Sequence, residues 1–392
     1  MKTKSLANMK NASRKENINS QKFSQRVLLG MSGGVDSSIA AMLLQKQGYE
    51  VIGAFMKNWS DTKNKITGEC QWKEERIFAQ KVAEKLGIQL ITLDFEKEYK
   101  KLVVDEMFKK YKKGITPNPD IDCNKEIKFP LMLKAAKKLG CNFISTGHYI
   151  RKKINKNGKY DLLRAKDESK DQSYFLYTIK QKELAKCLFP IGDYTKKQIR
   201  EIAERKDFPN YNKKGTVGIC FIGKINLKDF LQKKIKPKKG KILDPNGKQI
   251  GTHDGIFYYT IGQRIGPRFG IEISYTLAGQ DGQDHTRWYV AKKDAKTNTI
   301  VAAPEGHPLN FRKEIIIKDF YLISNDKKEY KNKSKKVLAR IRQVGELLPA
   351  TLFFKNGKFN LILDKAITGI SDGQAVVLYE KEKVLGGGTI SS

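Results

Sequence analysis

At 392 residues the chain is long enough for two or three domains that each bury their own core, so stability requires neither a disulfide framework nor a structural metal. Its five cysteines, Cys70, Cys123, Cys141, Cys187 and Cys220, are odd in number and contain no CxxC, which argues against zinc, an iron–sulfur cluster and secreted disulfides. A formal net charge of +34 points to a polyanionic partner such as nucleic acid, because lysines and arginines that neutralise phosphates release counterions; a lysine bias spread through the whole chain is the plainer account of the same number.

No apolar run approaches the roughly 18 residues of a membrane span, and the first residues lack the apolar core of a signal peptide. A cytoplasmic protein with no membrane association is expected. Residues 1–25, rich in Lys, Asn and Ser, are expected to be a disordered basic tail.

From Arg26 the chain alternates strand and helix. Arg26 to Gly30 reads as a short buried strand, Ser38 to Leu44 as a helix closed by Gly48, and Glu50 to Met56 as the next strand. A helix near 72–86 stops at Gly87, a strand covers 88–93, helices fall near 97–112 and 125–139, and a strand occupies 142–146. Strict alternation predicts a Rossmann-like, doubly wound parallel sheet over residues 26–224.

After residue 147 the pattern changes. Tyr149 to Asn155 and Lys159 to Ala165 flank Asn157-Gly158, a hairpin signal, and Thr195-x-x-Gln198 opens a short helix with a capping box; both read as embellishments of the first domain. Beyond a helix near 226–235 and the connector Lys236-Pro237-Lys238-Lys239-Gly240, short strands and turns predict a small β-rich central domain, 225–308, and a terminal β-barrel, 309–392.

Gly30-Met31-Ser32-Gly33-Gly34-Val35-Asp36-Ser37 lies between the first strand and first helix, where backbone N–H groups and the helix dipole converge on an anion. Glycines let phosphate approach the backbone, the serines add donors, and Asp36 is placed to hold Mg²⁺ between phosphates. No Walker lysine is present. The loop resembles the pyrophosphatase-type loop of ATP enzymes that transfer AMP to an oxygen atom. Met56 and Gly147 sit at carboxyl ends of strands, where such sheets bind ligands, so ATP is expected there as well.

In Ile115 to Asn124 two prolines stiffen a loop that brings Asp120 and Asp122 within three residues of Cys123, with a helix starting just behind. A helix N-terminus lowers a thiol pKa, which makes Cys123 a candidate nucleophile and Asp120 a candidate base, against the plainer reading of Asp120 as a cap. Cys220, in an apolar stretch punctuated by Gly215, Gly218 and Gly223, is suited to a mobile sulfur carrier, although apolar neighbours more often surround an inert buried thiol. Cys70, Cys141 and Cys187 carry that inert reading.

These segments together resemble the bacterial and organellar tRNA-specific 2-thiouridylases, the MnmA/TrmU family, across residues 26–390. The resemblance rests on the loop at 30–37, Phe55 to Trp59, Asn118-Pro119-Asp120 with Cys123, Thr146-Gly147-His148-Tyr149, Lys170-Asp171-Gln172-Ser173-Tyr174, Gly218 to Ile222 and Tyr259 to Arg264. It implies thiolation of C2 of the wobble uridine in tRNAs for Lys, Glu and Gln, with Cys220 carrying a persulfide and Cys123 as its nucleophilic partner. It further implies that Asn118, Pro119 and Asp120 face the target base, and that His148, Lys170, Asp171, Gln172, Arg340, Ile341 and Gln374 contact tRNA. Ile341 stands where the family pattern leads one to expect an aromatic residue. The expected small molecules are ATP with Mg²⁺ and no tightly bound metal or cluster; the expected partners are tRNA and a sulfur donor, a cysteine desulfurase or relay protein, acting on a monomer. Two other readings stay open on the residues themselves, a different adenylating ligase and a non-catalytic, ATP-regulated RNA-binding protein.

Overall fold

The computed structural model describes residues 25–61, 70–215, 218, 220, 222, 226–266, 271, 287–325, 334–355 and 357–391. The disorder expected for 1–25 therefore falls outside the described residues, Gln25 apart, as do most neighbours of Cys220. Among the described residues no helix is long and apolar enough to cross a membrane.

The first sheet begins in its own centre. β1 (Arg26–Gly30) pairs in parallel with β2 (Glu50–Lys57) on one side and β4 (Phe143–Thr146) on the other. β3 (Leu90–Asp94) extends the β2 side. Val27, Leu28 and Leu29 are wholly buried, as a strand covered on both faces must be. Because the chain reverses direction across the sheet between β1 and β4, a crevice opens beyond their carboxyl ends.

Helices α1 (Val35–Lys46) and α2 (Gln71–Leu86) follow β1 and β2, and α2 ends on Gly87 in the left-handed conformation, φ 62°. The helix expected near 97–112 is α3 (Glu96–Tyr99) and α4 (Asp105–Lys112) joined by a π-helical turn, Lys100–Val104. The helix expected near 125–139 starts earlier: α5 (Pro119–Asp122) is capped by the Asn118 side chain, with proline at its first position, and runs through a π-helical turn, Cys123–Lys128, into α6 (Phe129–Lys138). Cys123 thus lies one turn inside the helix, and the helix start that was expected to acidify it belongs to the residues before it.

The hairpin of β5 (Ile150–Ile154) and β6 (Tyr160–Arg164) turns at Gly158 and is more than an embellishment of the first domain. Leu163 pairs with Lys383 of the terminal barrel, and the Arg164 N–H donates to the Glu382 carbonyl at 2.8 Å. After α7 (Gln181–Ala185), β7 (Cys187–Leu188) joins β4, completing the order β3-β2-β1-β4-β7. α8 (Lys196–Arg205) has the capping box expected from Thr195 and Gln198, and α9 (Leu227–Gln232) leads to the central domain.

That domain contains β8 (Gly240–Leu243), β9 (Gln249–His253), β10 (Arg264–Ile265), β11 (Trp288–Asp294) and β12 (Thr299–Pro304), in the order β10-β11-β12-β8-β9. The last six strands are β13 (Phe311–Leu322), β14 (Lys335–Arg340), β15 (Leu348–Lys355), β16 (Lys358–Thr368), β17 (Ala375–Glu380) and β18 (Lys383–Ser391). A β13–β18 pairing closes them into a barrel, which hides the strand edges around a core that includes Leu352, Leu361 and the stacked rings of Phe320 and Phe359. One buried cluster spans the sheet and the barrel: Leu28, Ile144 and Tyr174 belong with Ala375, Val377 and Tyr379.

Candidate active site

The glycine-rich loop leaves β1 tightly folded. Gly33 has φ 74°, and a Cβ there would lie 2.2 Å from the Glu75 carbonyl oxygen. Asn210 Nδ2 donates to the Gly33 carbonyl at 2.9 Å and to Ser38 Oγ at 3.0 Å, while Ser37 Oγ donates to the Gly34 carbonyl at 3.0 Å. Met31, Val35 and Met56 are buried, so their side chains serve the core and only their backbone is offered to a ligand; Gly30 packs against Met56. Ser32 is exposed at the loop surface.

Asp36 is held from two sides, accepting from the Tyr149 hydroxyl at 2.8 Å and from Lys196 Nζ at 2.6 Å. Burial, reinforced by Asp36, pushes the Tyr149 phenol far above its ordinary range, so it remains a donor. Among the described residues no group of three His, Cys, Asp or Glu side chains forms a metal site. At the end of β4, Gly147 abuts the loop so closely that a Cβ would come within 2.7 Å of the Ser37 nitrogen. Lys196 and Asn210 were not found by sequence reasoning, and Tyr149 only as part of the Thr146-Gly147-His148-Tyr149 segment with no role of its own; Lys196 and Asn210 lie in ordinary polar surroundings, and only folding brings them to the loop.

One residue beyond Gly147 the second half of the site begins. The π-helical turn after Asp122 places Cys123 in the interior, with its Sγ 3.8 Å from that of Cys220. π-Helical turns are rare and often mark functional positions. The Cys220 segment is held by its backbone: its N–H donates to Asp120 Oδ1 at 2.8 Å, and its carbonyl accepts from the buried Tyr99 hydroxyl. The Lys128 charge acts on Cys123, Cys220 and Asp120 together and favours the Cys220 thiolate. Sequence reasoning missed Lys128, although its position in the helix carrying Cys123 was a usable signal.

The two thiols differ. Burial, then its hydrogen bond to Cys220, pushes Cys123 well above the ordinary thiol range. The hydrogen bond from Cys123, aided by the Lys128 charge, holds Cys220 below it despite burial. Cys220 is therefore the more acidic thiol, the reverse of what a helix start before Cys123 implies. Burial raises the Asp120 carboxyl, while its bond from the Cys220 N–H opposes that rise. Cys70 and Cys187 donate to the backbone carbonyls of Ser60 and Glu183, apart from this pair.

The residues expected along tRNA divide. Asn118, Pro119, Gln172 and Gln374 are partly exposed and Lys170 is exposed. Gln374 Nε2 donates to the Thr116 and Pro117 carbonyls, which packs a barrel loop onto the proline loop. His148, Asp171, Arg340 and Ile341 are enclosed. Asp171 accepts from Arg340 at 2.7 Å, from Ser173 Oγ at 2.9 Å and from the Ala165 N–H at 3.0 Å, so its side chain ties domain to barrel and presents nothing to RNA in this conformation. Ile341 belongs to the barrel core, which accounts for an aliphatic residue there.

A parallel nucleotide-type domain with a glycine-rich loop at its switch point, a facing thiol pair beside it and two β-domains behind define a class of enzyme that couples nucleotide binding to sulfur chemistry. Family models match all three parts: a tRNA methyl transferase HUP domain over residues 25–224, a tRNA methyl transferase PRC-barrel domain over 228–304 and an aminomethyltransferase beta-barrel domain over 312–390. The tRNA-specific 2-thiouridylase MnmA of Flavobacterium johnsoniae is 41% identical over 407 residues, covering 94% of this chain and all of that protein, 100%. That of Francisella philomiragia is 40% identical, covering 93% of this chain and 99% of its own. A solved 4-thiouridine synthetase–RNA complex with bound ATP is 17% identical with a TM-score of 0.33, covering 53% of this chain and 50% of that one, too slight a likeness to carry an argument. The chain belongs to the tRNA-specific 2-thiouridylase family.

Proposed function

We propose that this protein is an ATP-dependent tRNA sulfurtransferase that converts the wobble uridine of tRNAs for Lys, Glu and Gln to 2-thiouridine. The observation that carries this reading is the pair of facing sulfurs, 3.8 Å apart, beside a nucleotide loop. A different adenylating ligase has no use for two such thiols.

The C2 oxygen of uracil is a poor leaving group, so the reaction opens with its attack on the α-phosphate of ATP, giving a C2–O–AMP bond and pyrophosphate. Backbone N–H groups of residues 30–37 stabilise the phosphate charge, and Lys196 stands ready to share it. Mg²⁺, when bound with ATP, supplies further neutralisation of pyrophosphate; Asp36 is the loop carboxylate suited to it, once released by Lys196.

The terminal sulfur of a Cys220 persulfide attacks C2 and AMP leaves with the C2–O electron pair. The Cys123 thiolate then attacks Cys220 Sγ, breaking the bond to the transferred sulfur. Thiouridine departs and a Cys123–Cys220 disulfide remains for a two-electron thiol reductant to open. Asp120 is suited to accept the Cys123 proton or to position the base, and Asn118 and Pro119, next to it in the chain, are read as facing that base. Lys170, Gln172 and Gln374 are the favoured tRNA contacts, and a monomer served by a cysteine desulfurase or relay protein completes the reading.

The test incubates the protein with ATP, Mg²⁺, a persulfide source and unmodified tRNA, then digests the RNA for mass spectrometry. Thiouridine made by the wild type and absent with Cys220→Ser is expected. AMP release without thiouridine would move the reading to a different acceptor or nucleophile.

A further inference from the structure

His148 is enclosed, yet its ring is fully engaged. Nδ1 lies 2.7 Å from Thr146 Oγ1, Nε2 lies 3.4 Å from Lys128 Nζ, and the ring stacks on Phe129 with centroids 5.9 Å apart. A lysine ammonium can only donate, so Nε2 must accept and the proton belongs on Nδ1, where it is donated to Thr146 Oγ1. Burial, and secondly the Lys128 charge, hold the imidazole well below its ordinary pKa, which keeps that lone pair available. The Lys128 charge is felt in turn by both thiols. Burial lowers the Lys128 pKa, but Cys220, Cys123 and Asp120 outweigh burial and hold the ammonium above its ordinary pKa.

We propose that Lys128 is a catalytic residue that balances the negative charge on the Cys220 sulfur, and that His148 is the positioning residue that aims it, through the chain Thr146–His148–Lys128–Cys220. The role bears on loading. The Cys220 thiolate attacks the outer sulfur of a donor persulfide, a new S–S bond forms, the donor's sulfur–sulfur bond breaks, and the donor leaves as a thiolate. An oriented ammonium stabilises the starting thiolate and the persulfide anion that replaces it. Lysine is a compact point charge on a flexible stem, so a fixed acceptor behind it decides where the charge points. This inference rests on the proposed thiolation for its purpose, but its geometry stands without it.

Among the described residues, the groups facing the Cys220 thiol are Cys123, Asp120 and Lys128, with the Tyr99 hydroxyl on its carbonyl, and Lys128 is the cation among these that contributes to its depressed pKa. The test is the pH dependence of Cys220 alkylation by iodoacetamide in the full-length protein, quantified on the Cys220 peptide by mass spectrometry, without tRNA or ATP. In His148→Phe and in Lys128→Met the midpoint should rise by about one pH unit, a tenfold loss of thiolate at a given pH below it, where ~1.4 kcal/mol is a factor of ten. His148→Gln, which can present an acceptor to Lys128, should restore most of the shift, and Lys128→Arg should keep the midpoint low. These two conservative variants guard against a folding defect in the others. Midpoints unmoved in both His148→Phe and Lys128→Met would overturn the proposal, as would His148→Phe weakening tRNA binding at an unchanged midpoint, which would return His148 to RNA contact. A wild type that makes no thiouridine, with variants that still show the midpoint shift, would overturn the proposed function and leave this assignment standing.

Discussion

The backbone N–H of Cys220 donates to the carboxylate of Asp120 at 2.8 Å, across a separation of 100 residues. That bond secures the Cys220 segment to the first turn of the helix carrying Cys123, and so sets the distance between the sulfurs. A bond to a charged acceptor is worth about 1.5–3 kcal/mol, so Asp120→Ala should lower the effective concentration of the two thiols for each other by about tenfold or more. Equilibration of the disulfide against glutathione measures it. Asp120→Asn, whose amide oxygen still accepts, should lose less, and an unchanged equilibrium in the alanine variant would remove Asp120 from this positioning role.

The turn at Gly33 tolerates no side chain, for two separable reasons. Its φ of 74° strains any L-residue, and a Cβ would strike the Glu75 carbonyl at 2.2 Å. Gly158 has a similar φ of 71° and open space around it, so Gly158→Ala reports the strain alone, about 1–2 kcal/mol. Gly33→Ala should cost clearly more in urea unfolding and should weaken ATP binding by titration calorimetry; equal costs for the two variants would mean that the loop yields.

Asp171 and Arg340 form an enclosed ion pair between the first domain and the barrel. Arg164 Nε also lies 3.7 Å from Asp171, so Arg340→Ala leaves that carboxylate one cation and should destabilise the protein by about 3 kcal/mol, the low end for a broken buried pair, while Asp171→Leu with Arg340→Met, which leaves Arg164 to Glu168, should recover part of that loss. Chemical denaturation measures both. A variant of full stability that has lost only tRNA affinity would restore Arg340 to the RNA-contact role expected from sequence.

Burial holds His148 and His253 below the ordinary histidine pKa. The unfolded chain therefore binds more protons than the folded one below about pH 6.5, and stability falls with pH in that range and is full above it. The acid loss should be smaller in His148→Phe than in wild type, read as the difference in unfolding free energy between pH 7 and pH 5. Equal losses would mean that His148 is protonated in the folded state.

Much of this was legible in the residues because it is local. The glycine-rich loop between strand and helix, the stop at Gly87, the capping box at Thr195 and the turn at Gly158 are each dictated by backbone conformations that few residues adopt. Strand and helix in alternation likewise determined the parallel sheet, and motif order pointed to the family. The tertiary structure decided what depends on burial and on distant partners. Cys123 looked acidified by a helix start, but Asn118 caps the helix earlier and the interior raises its pKa, while Cys220 is acidified by a neighbour far away in the chain. Lys128, Lys196 and Tyr149 gain their roles only because chain folding sets them against Cys220 and Asp36. Asp171 and Arg340 were expected to contact tRNA, yet the barrel closes over them, because a charge pattern carries no record of which side chains a remote domain will cover.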